Sequence, residues 1–244
     1  MESGGTVNIR RTALLFSLLG AGAILPLQGA ACIPDTAADY VALGSTGCTI
    51  NGTWTFSNFS FSSTNSGGTA PNNTQEVIAP LSGSGVGFSF TPTIPWIATT
   101  GIADVELQYK VTFTGNITSI SQTLTGTISN PAGFDNITDD YCTAGTLPAG
   151  SCAGVQVLNS NLFASGTVTN SASFAATNVV SVLKDVSANA TGFPGSTDTV
   201  TSFNNCFNGT CTAAVPEPGS SGLAGLGLGL GLIALGSIKL RRSA

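Results

Sequence analysis

Asp135, Asp139 and Asp140 crowd one short stretch, Phe134-Asp135-Asn136-Ile137-Thr138-Asp139-Asp140-Tyr141. Carboxylates mixed with Asn and Thr oxygens are the hard ligands that calcium takes. The spacing lacks the glycine and closing glutamate of an EF-hand loop, so the stretch reads first as a solvated acidic loop, with a calcium site as the alternative. Asp104 and Glu106 alternate around Val105. On a strand they share one face about 7 Å apart, which also suits the carboxylate pair of an inverting glycosidase. Water-facing alternation explains them equally well, and no catalysis is expected. The chain has no histidine, which excludes a Ser-His-Asp triad, histidine general-base chemistry and any His-ligated metal. Between Cys32 and Ala214 there are two lysines, Lys110 and Lys184, no arginine and ten acidic residues. Neutralising phosphates takes clustered Lys and Arg, so a nucleic-acid partner is not expected, nor is a cofactor.

The six cysteines are Cys32, Cys48, Cys142, Cys152, Cys206 and Cys211. An even count with no CxxC implies disulfides rather than a metal or redox site. Sequence neighbourhood suggests Cys32–Cys48, Cys142–Cys152 and Cys206–Cys211. The last pair brackets Asn208-Gly209, a strong two-residue hairpin signal. In that hairpin the two cysteines face each other as a non-hydrogen-bonded pair about 4.5 Å apart at Cα.

The elements that position these residues are strands. Val105, Leu107, Tyr109, Val111 and Phe113 alternate with polar residues, which is a strand with one wet face. Val86, Phe88 and Phe90 make another; Val155 with Val157 and Val180 with Val182 continue the theme, and Phe163, Val168 and Phe174 mark weaker candidates. Trp54 and Phe56, then Phe59 and Phe61, change phase across Asn58, which predicts a bulge. An Asn51-Gly52 turn joins Cys48 to this aromatic strand. Trp96 is the best candidate for an exposed aromatic platform, although a lone Trp more often belongs to the core. Residues 32–214 are therefore expected to form an all-β, antiparallel β-sandwich, Ig-like or jelly-roll.

The two ends read as address labels. Residues 1–31 have the layout of a signal peptide: Arg10-Arg11, an apolar run from Ala13 to Leu25, and Gln28-Gly29-Ala30-Ala31, with cleavage expected between Ala31 and Cys32. Residues 219–238 carry no charge and would make a membrane helix of about 30 Å. Lys239, Arg241 and Arg242 follow in the basic tail 239–244, so the bulk of the chain is expected outside the cytoplasm.

Val215-Pro216-Glu217-Pro218, a short apolar helix and a terminal basic cluster resemble a PEP-CTERM sorting signal over residues 215–244. The resemblance implies an exported protein of a Gram-negative-type bacterium, with the C-terminal helix holding an inner-membrane intermediate. It also implies two processing partners: signal peptidase at the N-terminus, and exosortase acting at Pro216, Glu217 and Pro218 before transfer to the cell surface or extracellular matrix. A second stretch, Gly47-Cys48-Thr49-Ile50 with Thr55-Phe56-Ser57-Asn58-Phe59-Ser60-Phe61, is similar to a segment shared by exported PEP-CTERM proteins and brings no activity with it.

Seven Asn-x-Ser/Thr triplets, beginning at Asn51, Asn58, Asn72, Asn116, Asn136, Asn189 and Asn208, follow from a composition rich in Asn, Ser and Thr. Such a surface suits contact with hydrated extracellular polysaccharide. The expected role is a non-catalytic, exopolysaccharide- or biofilm-associated structural protein. The alternative is a carbohydrate-binding or adhesin module, with calcium as its candidate ion.

Overall fold

The computed structural model describes residues 29–129, 133–143, 156–192, 195–209 and 211–213. The expected signal-peptide core, Cys152, Pro216-Glu217-Pro218 and the apolar stretch 219–238 lie outside them. Among the described residues no helix is long and apolar enough to cross a membrane.

In chain order the elements are β1 (Asp35–Thr36), α1 (Ala37–Ala42), β2 (Cys48–Ile50), β3 (Trp54–Thr69), β4 (Glu76–Gly83), β5 (Val86–Pro92), β6 (Trp96–Ile128), β7 (Phe134–Cys142), β8 (Gln156–Leu162), β9 (Gly166–Asn189), β10 (Asp198–Phe207) and β11 (Cys211–Ala213). α1 is capped by Thr36, whose Oγ1 accepts from the Asp39 N–H at 3.3 Å. Among the described residues everything else regular is strand, so residues 29–213 are all-β where described, as their periodicity predicts.

β6 has 33 residues and β9 has 24, far beyond the usual five or six. Both strands bend. The first half of β6 pairs with β3, Phe113 opposite Trp54 and Ile102 opposite Ser66. Its second half pairs with β10, Leu124 opposite Phe203 and Ile120 opposite Phe207, residue numbers rising in one strand as they fall in the other, and its first residues also meet β10, Trp96 opposite Val200. β9 follows β6 through both halves, with register breaks between Thr112, Ile117 and Ser119. The hydrogen-bonded sheet thereby folds over into a sandwich. One layer holds β1, β4, β11, β5, β10, the end of β6 and the start of β9. The other holds β2, β3, the start of β6, the end of β9, β7 and β8.

Aromatic side chains fill the space between the layers. Phe56 meets Phe88 edge-on at 4.6 Å, and Phe90 stacks on Phe203 at 4.5 Å. Aromatic pairs of this kind add about 0.5–1.5 kcal/mol each beyond area burial. Asn58 takes φ 55 and the ladder steps from Ser57/Lys110 to Ser60/Gln108. This is the predicted bulge, and it turns both Phe56 and Phe59 inward. The Asn51-Gly52 turn also forms, with φ 54 and 63. Trp96 is a core residue; its Nε1–H donates to Glu76 Oε2 at 3.2 Å, so it offers no surface platform.

Cys32–Cys48 and Cys206–Cys211 are bonded, with Cα separations of 4.9 and 6.0 Å. Cys142 is disulfide-bonded, and its expected partner Cys152 lies outside the described residues. The expected hairpin around Asn208-Gly209 does not form. β5 and β6 already occupy the edges of β10, so the chain leaves β10 and Cys211 pairs with Gly83 of β4 instead. The disulfide closes across two strands that are not ladder partners, which is why its Cα distance exceeds the expected 4.5 Å. Disulfides persist in oxidising compartments, consistent with an exported protein. Ahead of Cys32, Ala31 bridges Thr49 and Ala30 O accepts from the Thr49 N–H at 2.8 Å.

Candidate functional site

The second layer turns its inner residues, among them Val105, Leu107, Val182, Val186 and Ile137, into the core. Period-two alternation places the residues between them on the outer face. The registers align these across five strands. One row runs Thr64, Asp104, Ser187, Asn136, Asn161; the next runs Ser62, Glu106, Asp185, Thr138, Asn159. Each row spans about 19 Å and the two lie about 7 Å apart. All ten side chains are polar. Asn136 Nδ2 donates to Asn161 Oδ1, and the Thr138 hydroxyl reaches Asn159 Oδ1 at 2.7 Å and Asn136 Oδ1 at 3.0 Å. These contacts orient the amides across β7 and β8.

An open groove of about 500 Å³ lies over the first row, walled by Thr64, Asn65, Asp104, Asn136, Asp185 and Ser187. At one end of the array, Phe134 occupies the next outward position on β7. Phe163, just past β8, is 62% exposed, and its ring centroid lies 6.1 Å from that of Phe134. The face therefore offers oriented acceptors and donors beside an apolar plate.

Asp104 and Glu106 share this face, as their spacing predicts. Partial burial, then the hydrogen bond and charge of Asp185, push the Asp104 carboxyl up to about 7. No sequence signal pointed to Asp185, since it comes from β9, a strand distant in sequence.

The acidic stretch around Asp135 is not a solvated loop. It is strand β7, and alternation divides its carboxylates: Asp135 and Asp139 turn into the core, while Asp140 faces outward. The three expected calcium ligands therefore do not converge. Among the described residues no group of three or more His, Cys, Asp or Glu side chains is arranged to hold a metal. Inside, Asp139 pairs with Lys184. Asp135 lies near Asp198, and burial followed by that charge pushes its carboxyl up to about 8.

No known protein family and no curated protein matches the chain. Solved structures give weak likenesses. TmCBM61 in complex with beta-1,4-galactotriose is 10% identical with TM-score 0.32, over 74% of this chain and 95% of that one. A Family 11 Carbohydrate-Binding Module from Clostridium thermocellum, in complex with a beta-1,3-1,4-mixed-linked tetrasaccharide, is 8% identical with TM-score 0.24, over 71% and 96%. The enzymatically active domain of Bacteriophage CBA120 tailspike protein 4 is 10% identical with TM-score 0.26, over 67% of this chain and 21% of that one. Likenesses this distant assign no function, and the polar face has to be judged on its own geometry.

Proposed function

We propose that the protein is an exported, non-catalytic module that binds extracellular polysaccharide along the outer face of its second layer. The observation that carries this reading is the pair of aligned polar rows ending on Phe134 and Phe163. Sugar hydroxyls each donate and accept, so an extended glycan needs many shallow polar contacts rather than one deep pocket. Asn amides supply both kinds of partner and carboxylates supply acceptors. An exposed aromatic ring suits the apolar face of a sugar. Small-ligand sites combine these elements: a few oriented polar groups beside apolar surface. The groove is open to water, whereas catalysis draws its electrostatic strength from a water-excluded site. This supports binding over hydrolysis for Asp104 and its neighbours. The sorting layout at 215–244 supports delivery of the module to the cell surface or matrix by way of exosortase.

The test is binding of the exported protein to a panel of soluble polysaccharides, measured by calorimetry, with the reducing ends of the same glycans assayed after incubation. Saturable binding that Asn136→Ala and Phe163→Ala weaken, with no new reducing ends, supports the reading. Absence of binding across the panel leaves a passive matrix protein, and release of reducing ends would make it a hydrolase.

A further inference from the structure

Four polar side chains meet between the layers, and none of them serves the outer face. Lys184 of β9, Asp139 of β7 and Asn205 of β10 are each 0% exposed, and Tyr109 of β6 is 1% exposed. Lys184 Nζ donates to Asp139 Oδ1. Asn205 Nδ2 donates to Asp139 Oδ2 at 3.0 Å. The Tyr109 O–H donates to Asn205 Oδ1. One carboxyl group thus spans an amine and a primary amide, while a phenol holds the carbonyl oxygen of that amide. The ring of Phe203 lies 5.7 Å from Nζ, and Val182, Val186 and Phe90 are buried in the same core.

A dry ion pair is a poor way to stabilise a sandwich, because desolvating both charges offsets their attraction. Burial lowers the lysine and raises the aspartate, with each partner opposing the other's shift. Both groups are thereby driven toward their neutral forms, an amine with a free lone pair and a carboxylic acid. An amine, an amide carbon and a proton carrier held together and shielded from water make a reactive constellation.

We propose that Lys184 and Asn205 become joined by an intramolecular isopeptide bond, with Asp139 moving the proton and Tyr109 stabilising the oxyanion. Lys184 Nζ attacks Cγ of Asn205 and a C–N bond forms. Negative charge develops on Oδ1, where the Tyr109 hydroxyl already donates. Asp139 gives its proton to Nδ2 and takes one from the attacking nitrogen, the Cγ–Nδ2 bond breaks and ammonia leaves. Asp139 ends in the protonation state in which it began. Nothing is oxidised or reduced, and no co-reactant is needed. Condensation of Lys184 with Asp139 itself would release water instead and would consume the cluster's only carboxyl, leaving none to carry the proton. The bond would tie β9 in one layer to β10 in the other, a covalent cross-brace that reduction cannot open.

Intact-mass measurement of the reduced, exported protein, followed by peptide mapping, is the test. The expected mass lies below that of the mature sequence by one ammonia, with a branched peptide joining residue 184 to residue 205. A succinimide at Asn208-Gly209 would also lose ammonia, so the branched peptide is the required signature. Lys184→Met and Asp139→Asn should restore the full mass and leave both peptides linear. A wild-type chain at full mass, or one with linear peptides at both positions, overturns the proposal whether or not the variants fold. Loss of one water with a 184–139 branch overturns the choice of Asn205 as acceptor.

Discussion

Gln122 and Ser160 meet across the sandwich: Gln122 Nε2, on the late part of β6, donates to Ser160 Oγ of β8 at 3.0 Å. The same amide group reaches the Leu158 and Ile137 carbonyls at 2.9 and 3.2 Å. It therefore ties the first layer to the outermost strands of the second. Gln122→Leu keeps the volume and removes every one of these bonds. It should cost about 1–3 kcal/mol, the price of leaving buried polar groups unpaired. Urea unfolding with an unchanged slope would report it, and an unchanged midpoint would show that β7 and β8 do not depend on this tether.

The buried carboxyls of Asp135 and Glu76 give stability a defined pH dependence. Burial is the first cause in both, and each is pushed up to about 8. In the unfolded chain such groups titrate near 4. As pH rises from about 4 to about 8 the unfolded state releases these protons first, so the two groups lower stability progressively across that window. Neither oxygen of Asp135 has a hydrogen-bond partner among the described residues. Asp135→Asn should therefore raise the melting temperature at pH 8 and flatten its fall between pH 5 and 8. A variant with the wild-type pH profile would place the dependence elsewhere.

On the outer face the Asp104 carboxyl is pushed up to about 7, so the proposed glycan binding should respond to pH there. The ionised form is the stronger acceptor for sugar hydroxyls. Affinity should rise as pH increases through about 7, and Asp104→Asn should remove that step. Phe163→Ala alters a side chain that is 62% exposed, so it should change stability by less than about 0.5 kcal/mol. It should still weaken glycan binding by about tenfold, the effect of truncating one contact worth 1–2 kcal/mol. Calorimetric titrations at pH 6 and 8 would read both effects.

Gly87 faces the backbone that carries Asn205. A Cβ at this position would lie 1.8 Å from Asn205 O, and the contact is main chain rather than a flexible side-chain tip. Gly87→Ala must push β5 away from β10, at a cost of about 1–3 kcal/mol. Because Asn205 moves with its backbone, this variant should also lower the yield of the 184–205 branched peptide in the mapping experiment.

Removing the Cys32–Cys48 link by a double Ser substitution opens a loop with a sequence separation of 16. The expected loss is about 3 kcal/mol, or roughly 6–12 °C in melting temperature for a domain of this size. Calorimetric scans of the double variant against wild type would measure it.

Much of the architecture was legible in the chain. Period-two patterning around Val105–Phe113 and Val86–Phe90 marks strands because successive side chains must point to opposite faces. The phase change at Asn58 marks its bulge for the same reason, and Asn51-Gly52 marks its turn because Asn and Gly tolerate positive φ. Two of the neighbour disulfides follow from proximity along the chain. The acidic stretch misled because dense polar residues resemble a loop, whereas strand alternation turns Asp135 and Asp139 into the core, which composition does not reveal. The Asn208-Gly209 hairpin failed because a turn signal says nothing about whether the preceding strand has a free edge.

The sequence by itself determined the all-β class, the wet and dry faces of its clearly alternating strands such as Val86–Phe90 and Val105–Phe113, and a composition without histidine. Tertiary structure alone decided the neighbours. Lys184 and Asp139 are 45 residues apart and Asn205 lies 66 beyond Asp139, yet the bends in β6 and β9 fold the sheet over and bring all three together. The polar rows of the outer face likewise exist only once five strands share a register. Alternation is a property of each strand's own backbone, while register and layer contacts arise from burying those strands against one another, which no local pattern encodes.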